Sequence, residues 1–193
     1  MPPTGTSRQT NLSSYFATQP ADPAKSRNST SSGSATAKKL SDRVETDILL
    51  AILPEHLENI VSKQKNHEYR KYRLQDGVER LWFYETRGTA QSEGRQAITH
   101  IATIPPTVRH TPGSVPEQPF GIGNSDFNAG KKKSKYGYPI LHLHELVNPI
   151  TLDEMRSTWG IGAPMGRSFV KWGMWQDRWG SEDERDDKVK QIF

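Results

Sequence analysis

The chain has no cysteine among its 193 residues. That excludes disulfide staples and thiolate metal sites, and it fits an intracellular setting. Hydrophobic residues are scarce, 33% of the whole, below what a fully folded globular chain carries. Part of the chain is therefore expected to remain disordered. No apolar run approaches the roughly 20 residues needed to cross a bilayer, and the N-terminus lacks the basic-then-apolar pattern of a secretory signal. The net charge of +4 is contained in residues 1–41, where Arg8, Lys25, Arg27, Lys38 and Lys39 face only Asp22; the other 21 basic and 21 acidic residues cancel. Net charge thus gives no reason to read the folded part as a basic nucleic-acid binder, and any such surface must come from local clustering. Two clusters qualify: Lys63, Lys65, Arg70, Lys71 and Arg73; and Lys131, Lys132, Lys133 and Lys135.

The most informative stretch is 48–73, ILLAILPEHLENIVSKQKNHEYRKYR. Residues 48–53 form an apolar run short enough for a buried strand. Pro54 suits the first turn of a helix, and Glu55 lies at the positive end of its dipole. Leu57, Ile60 and Val61 recur at helical spacing and make one apolar face. Residues 66–72 suit a second strand, with Glu68, Arg70 and Tyr72 on one side and His67, Tyr69 and Lys71 on the other. The segment resembles the ASCH domain of the PUA-like superfamily, whose signature is a helix after I-x-P-E-x followed by G-x-K-x-x-E-x-R. Lys65, Glu68 and Arg70 hold the Lys, Glu and Arg of that motif, and Lys63 stands where the family usually has glycine. The resemblance runs through 48–106 and, more loosely, 136–155. It implies an α+β fold, a PUA-like curved barrel with covering helices, over residues 42–180.

Residues 1–41 are rich in Ser, Thr, Ala, Pro and Gly and cannot bury enough surface to offset their ordering entropy, so they read as a disordered tail. One island, residues 9–16, interrupts it with the pattern Q-x-x-L-x-x-Y-F. One tight helical turn would put Leu12, Tyr15 and Phe16 on one side as an apolar plug, with the Gln9 amide free for a polar pocket. The island resembles the PIP box, the peptide by which many replication and repair proteins hold the sliding clamp PCNA. That implies PCNA as a partner and a nuclear location, with or without a cytoplasmic pool. The pair Thr10-Asn11 and Pro20 depart from the PIP subtype that also marks proteins for destruction.

Further along, residues 75–77 signal a turn, 80–86 a central strand, 88–94 a loop and 96–104 a strand ended by Pro105-Pro106. Residues 107–135 read as a long loop of the kind that is functional or mobile. Gly121-Ile122-Gly123-Asn124 within it lacks the strand-to-helix setting of a phosphate loop. Residues 138–147 read as a strand. His142 and His144 share a face there, but two ligands are too few for a metal site, and no metal or cofactor is expected. Thr151 and Glu154 form a capping box for a helix ending near Gly160. Trp172, Trp175 and Trp179 recur at helical spacing and are read as packing onto the barrel, with a base-stacking surface as the alternative. Residues 181–193 read as an acidic C-terminal tail, with 182–187 solvated and frayed.

The resemblance implies a cleft beside the motif that suits a nucleotide or nucleobase. Lys65 and Arg70 attract phosphate there, Arg70 as a two-pronged donor; Glu68 accepts from an exocyclic amine or holds Arg70; Trp82 or Tyr84 stacks on a base. The leading reading is a monomeric, PCNA-associated module that binds RNA or DNA away from membranes. A hydrolase is the alternative, since some small ASCH proteins are amidohydrolases on acylated cytidine and others are nucleases. The amidohydrolase type uses Lys, Thr and Glu. Its Thr lies three residues after the Lys, where this chain has Glu68, which leaves Thr86 as the only hydroxyl to join Lys65 and Glu68. A protein–protein adaptor is the third reading.

Overall fold

The structure is a computed structural model, and it describes residues 42–90 and 92–193. The stretch at 9–16 expected to bind PCNA, with Gln9, Leu12, Tyr15 and Phe16, lies outside the described residues. The described chain is α+β, as expected. Strand β1 (Arg43–Ile52) leads through Leu53 into helix α1 (Pro54–Val61), then β2 (His67–Arg70), β3 (Arg80–Glu85), a small hairpin of β4 (Gly88–Thr89) and β5 (Ser92–Glu93), and β6 (Ala97–Thr103). A long connection carrying helix α2 (Asn124–Asn128) precedes β7 (Tyr136–Pro139) and β8 (His142–Thr151). Helix α3 (Leu152–Trp159), β9 (Arg167–Lys171), helix α4 (Trp172–Arg178), a 3-10 turn (Glu182–Glu184), helix α5 (Arg185–Lys188) and β10 (Val189–Gln191) complete it.

Six strands form one sheet in the order β10-β8-β6-β3-β1-β9. Only the β1–β3 pairing is parallel, with Ile48 opposite Leu81 and Leu50 opposite Phe83. Strand alternation sends residues of β1 and β3 to both faces, and both faces are covered. On one face Ile48, Leu50, Ile52, Leu81 and Phe83 meet Leu57 and Ile60 of α1 and Tyr138 of β7. On the other, Leu49, Trp82 and Tyr84 meet Met155 of α3, Met174 of α4 and Trp179. A helix as short as α1 is marginal alone in water; Pro54 at its first position and its buried Leu57 and Ile60 hold it in place.

Strands β2 and β7 form a separate two-stranded sheet, to which His110 adds an antiparallel bridge at Gly137. They are tied down by Tyr138, whose hydroxyl accepts from the Leu74 amide and donates to the Tyr72 carbonyl, both at 2.8 Å. The long connection is held from inside. Arg109 donates to the carbonyls of Pro105, Gln75 and Pro106, and the Asn128 amide donates to Val115 O and accepts from its N–H. The span 138–147 divides at Ile140 and Leu141 into β7 and β8.

The tryptophan segment packs as expected for Trp179, which is buried with the His144 ring perpendicular to it and the two ring centres 5.1 Å apart. Trp175 is half-buried, and the exposed Trp172 lies flat on it at 5.0 Å. Thr151 caps α3 by accepting from the Glu154 amide, but the Glu154 carboxylate turns away to Arg178. The frayed reading of 182–187 needs correcting, and the tail at 181–193 is docked. Its charges occupy a 3-10 turn and α5, and β10 then adds to the sheet edge with Val189 opposite Leu146. Val189 is buried, and Ile192 and Phe193 pack on the α1 side. The acidic run concealed a short apolar anchor after it. Truncation after Lys188 is therefore expected to cost about 3 kcal/mol of stability, from one buried valine and two half-buried large side chains; urea denaturation measures it, and an unchanged midpoint would contradict the docking of the last five residues.

Candidate functional site

The site begins at the turn that ends α1. Lys63 has φ 61°, the left-handed conformation that costs a residue with a Cβ roughly 1–2 kcal/mol. This is the position where the ASCH motif has glycine, so the chain makes the turn that glycine favours with a lysine in its place. The Lys63 N–H donates to Ile60 O at 2.9 Å and the Lys65 N–H to Asn59 O at 2.8 Å. The Lys63 ammonium lies 5.0 Å from the centre of the Phe193 ring. The turn delivers Lys65, only 7% exposed, to the start of β2.

There the three motif residues meet. Lys65 Nζ donates to Glu68 Oε2, and Arg70 Nη2 lies 2.9 Å from Glu68 Oε1. The same Nη2 donates to the carbonyl of Ala51 in β1 at 2.8 Å. Burial alone would push the Glu68 carboxyl up, but Lys65 and Arg70 on either side outweigh it and hold it below the usual range. The carboxylate is ionised and both oxygens are occupied. Arg70 Nε is buried with no partner among the described residues.

Beside this cluster opens a cleft of about 240 Å³. His56 and Asn59 of α1 form one wall, Lys65, Glu68 and Tyr69 the floor, and Ile122 with Lys132, Lys133 and Ser134 the other wall. The Tyr69 hydroxyl donates to Asn124 Oδ1 at 2.7 Å. Its ring packs on Phe127 at 4.5 Å, and the Lys132 ammonium lies 5.5 Å from its centre. Burial, and then the neighbouring Glu68, push the Tyr69 hydroxyl up, so it stays protonated. Burial, and then Lys65, pull His56 down. Four cations, Lys65, Arg70, Lys132 and Lys133, therefore stand around one carboxylate, and Lys132 and Lys133 have no carboxylate partner among the described residues.

Three of the expected site residues, Lys65, Glu68 and Arg70, are brought together. Trp82 and Tyr84 are not, and their assignment as base-stacking residues is corrected. Trp82 is 0% exposed, donates from Nε1 to Asp47 Oδ1 at 2.8 Å, and lies with Tyr84 in the core on the far face of the sheet. Thr86 follows β3 and its N–H donates to Ile52 O; its hydroxyl is buried without a partner among the described residues and is not part of the cleft wall. The set Lys65, Glu68 and Thr86 is not assembled there. The aromatic in the cleft is Tyr69, on the strand face opposite Glu68; β2 has a neighbour on one side only, so residues from both its faces reach the opening. Lys132 and Lys133 were visible in the sequence as a charge cluster. Their place beside Lys65 depends on contacts over long sequence separation, such as Lys135 N–H to Arg70 O at 2.9 Å and Ile122 N–H to Gln64 O at 2.7 Å.

No family model matches the chain, and no curated protein matches it. Among solved structures it is similar to the ASCH protein from Zymomonas mobilis, at 17% identity and a TM-score of 0.48, over 69% of this chain and 93% of that one. A mutant of that protein gives 18% identity and a TM-score of 0.49 over 70% and 95%. A second mutant gives 17% and 0.48 over 68% and 95%.

The Lys63 turn generates a test. Lys63→Gly removes the left-handed penalty and loses one exposed cation–π contact of about 0.5 kcal/mol, so it is expected to stabilise the protein by about 0.5–1 kcal/mol. A lower denaturation midpoint would show that the turn does not need φ > 0.

Proposed function

We propose that this chain is an ASCH-type binding protein that takes a phosphate-bearing ligand, a nucleotide or a single nucleic-acid strand, in the Lys65–Glu68–Arg70 cleft. The observation that carries the reading is the excess of cations over carboxylates around one small concavity with an aromatic edge. A bare structural ion pair would leave no such excess. The volume, about 240 Å³, falls below the roughly 300–1,000 Å³ of sites for drug-sized ligands, which suits one phosphoryl group or one base at a time. Lys132 and Lys133 supply exposed point charges for phosphate, and Tyr69 offers a ring and a neutral hydroxyl.

Hydrolysis is supported less. Glu68 is held on both oxygens by cations, which suits a fixed charge better than a base, and Thr86 stands apart from the cleft. An activated nucleophile needs a base within hydrogen-bond reach, and the Ser134 hydroxyl in the wall has none among the described contacts. Residues 9–16 are proposed to deliver the domain to replicating DNA by holding PCNA, with a nuclear location following from that partner. What supports this is the spacing of Gln9, Leu12, Tyr15 and Phe16 in a stretch otherwise poor in apolar residues. Few anchors then carry the affinity, and the residues between act as a tether.

Lys132→Ala with Lys133→Ala changes only exposed side chains. It is expected to weaken binding of short oligo(rU) and oligo(dT) and to flatten the salt dependence of log K by about 1.4, from two phosphate contacts at roughly 0.7 each for single strands. Fluorescence anisotropy across a salt series reads this. Unmeasurable affinity of the wild type for either oligonucleotide at low salt would end the binding reading. Tyr15→Ala with Phe16→Ala is expected to abolish PCNA binding in calorimetry while oligonucleotide affinity stays unchanged; retained PCNA affinity would remove the tail's role.

A further inference from the structure

The loop that walls the cleft has a second side. Phe120 is 72% exposed, yet it sits on a fixed backbone. Before it, Pro119 O accepts from Asn66 Nδ2 at 2.9 Å. After it, Gly121 lies so close to Asn66 that a Cβ would come within 2.1 Å of Oδ1, and the Ile122 N–H donates to Gln64 O at 2.7 Å. Both neighbours of Phe120 are thus fastened to residues 64–66, the segment that carries Lys65. An aromatic ring held in water on a rigid support has given up burial without gaining freedom, and such rings are stacking platforms.

Next to Phe120 is a hollow of about 470 Å³, shared with Gln118, Ser125 and Asn124. Its walls hold no lysine or arginine and one carboxylate, Glu117. It therefore disfavours phosphate and suits an uncharged planar group with hydrogen-bonding edges, which the exposed Gln118 amide and Ser125 hydroxyl can meet. Asn124 joins the two sites: it lines this hollow, and its Oδ1 accepts from the Tyr69 hydroxyl in the floor of the cationic cleft. A strand with one phosphate at the cleft brings a neighbouring base to the hollow.

We propose that Phe120 and this hollow form a second subsite, for an unpaired base of single-stranded nucleic acid, adjacent to the phosphate-binding cleft. The inference rests on the binding reading given above. The division of labour is cations for the backbone on one side of α2 and an aromatic face with amide and hydroxyl groups for a base on the other.

The test compares wild type, Phe120→Ala and Phe120→Trp in the full chain. Short fluorescein-labelled oligo(rU) and oligo(dT) are titrated by anisotropy, and uridine 5′-monophosphate by calorimetry. Phe120→Ala is expected to lose on the order of 10- to 100-fold in oligonucleotide affinity. Phe120→Trp is expected to retain it and to show added tryptophan quenching on binding. The mononucleotide, held at the cleft, is expected to bind all three alike. If Phe120→Ala binds both oligonucleotides as the wild type does while the mononucleotide still binds, the second subsite is overturned and the cleft stands. If the wild type binds neither probe, both readings fall; capture of an apolar peptide at Phe120 instead of the oligonucleotides would likewise overturn the subsite.

Discussion

A buried carboxylate between two cations is the constraint on which the arrangement of this domain turns. Glu68 is shielded from water, and an uncompensated charge there costs several kcal/mol. Lys65 and Arg70 supply the compensation from the turn after α1 and from β2. Arg70 also reaches the Ala51 carbonyl at the end of β1. One ion cluster thus binds the two-stranded β2–β7 ribbon to the main sheet, to which it is not hydrogen-bonded as a strand. Removal of Glu68 would leave two cations side by side without a carboxylate. The cluster therefore fixes the geometry of the cleft floor, while the net positive charge available to a ligand comes from the lysines of the opposite wall.

Asp47 is an instructive contrast. It is 0% exposed and takes a two-pronged donation from Arg80, one bond from Trp82 Nε1 and one from the Thr46 hydroxyl. Every acceptor site is used inside the protein. Asp47 sets the register of β1 against β3, where it stands opposite Arg80. Two buried acid–arginine pairs thus sit at opposite ends of a functional scale. Asp47 closes on itself, whereas Arg70 Nε beside Glu68 has no partner among the described residues, and Lys132 and Lys133 line the same cleft.

Local signals in the sequence were reliable where a few neighbouring residues decide the outcome. The 48–53 run, Pro54, the Leu57–Ile60 face and the Thr151 cap all translate directly into β1, α1 and the start of α3. The motif brought Lys65, Glu68 and Arg70 together because a tight turn and a short strand keep them close whatever else the chain does. Trp82 and Tyr84 misled for a physical reason: a central strand covered on both faces carries aromatics pointing both ways, here Trp82, Phe83 and Tyr84, and the sequence does not distinguish a ring that faces a cleft from one that faces a second core. The strand at Val189–Gln191 was obscured by the charge run before it, since three residues are too few for a period-2 pattern. Tyr69, Phe120 and Lys132 belong together only through contacts spanning more than fifty residues, such as Tyr69 to Asn124. No local pattern encodes those.

The loop over 107–135 shows why length alone is a poor guide to mobility. Arg109 spends its guanidinium on backbone carbonyls at the start of the loop. Asn128 clasps Val115 from both directions, and Phe127 is buried against Tyr69. The backbone that presents Lys132 and Lys133 is thus ordered before any ligand arrives. Ordering entropy at binding then falls on the lysine side chains themselves, about 0.5–1.5 kcal/mol for each one immobilised, and Lys132 is already laid over the Tyr69 ring. A phosphate entering this cleft has only to draw two long side chains inward, and that small rearrangement lets a concavity of modest volume hold a charged group.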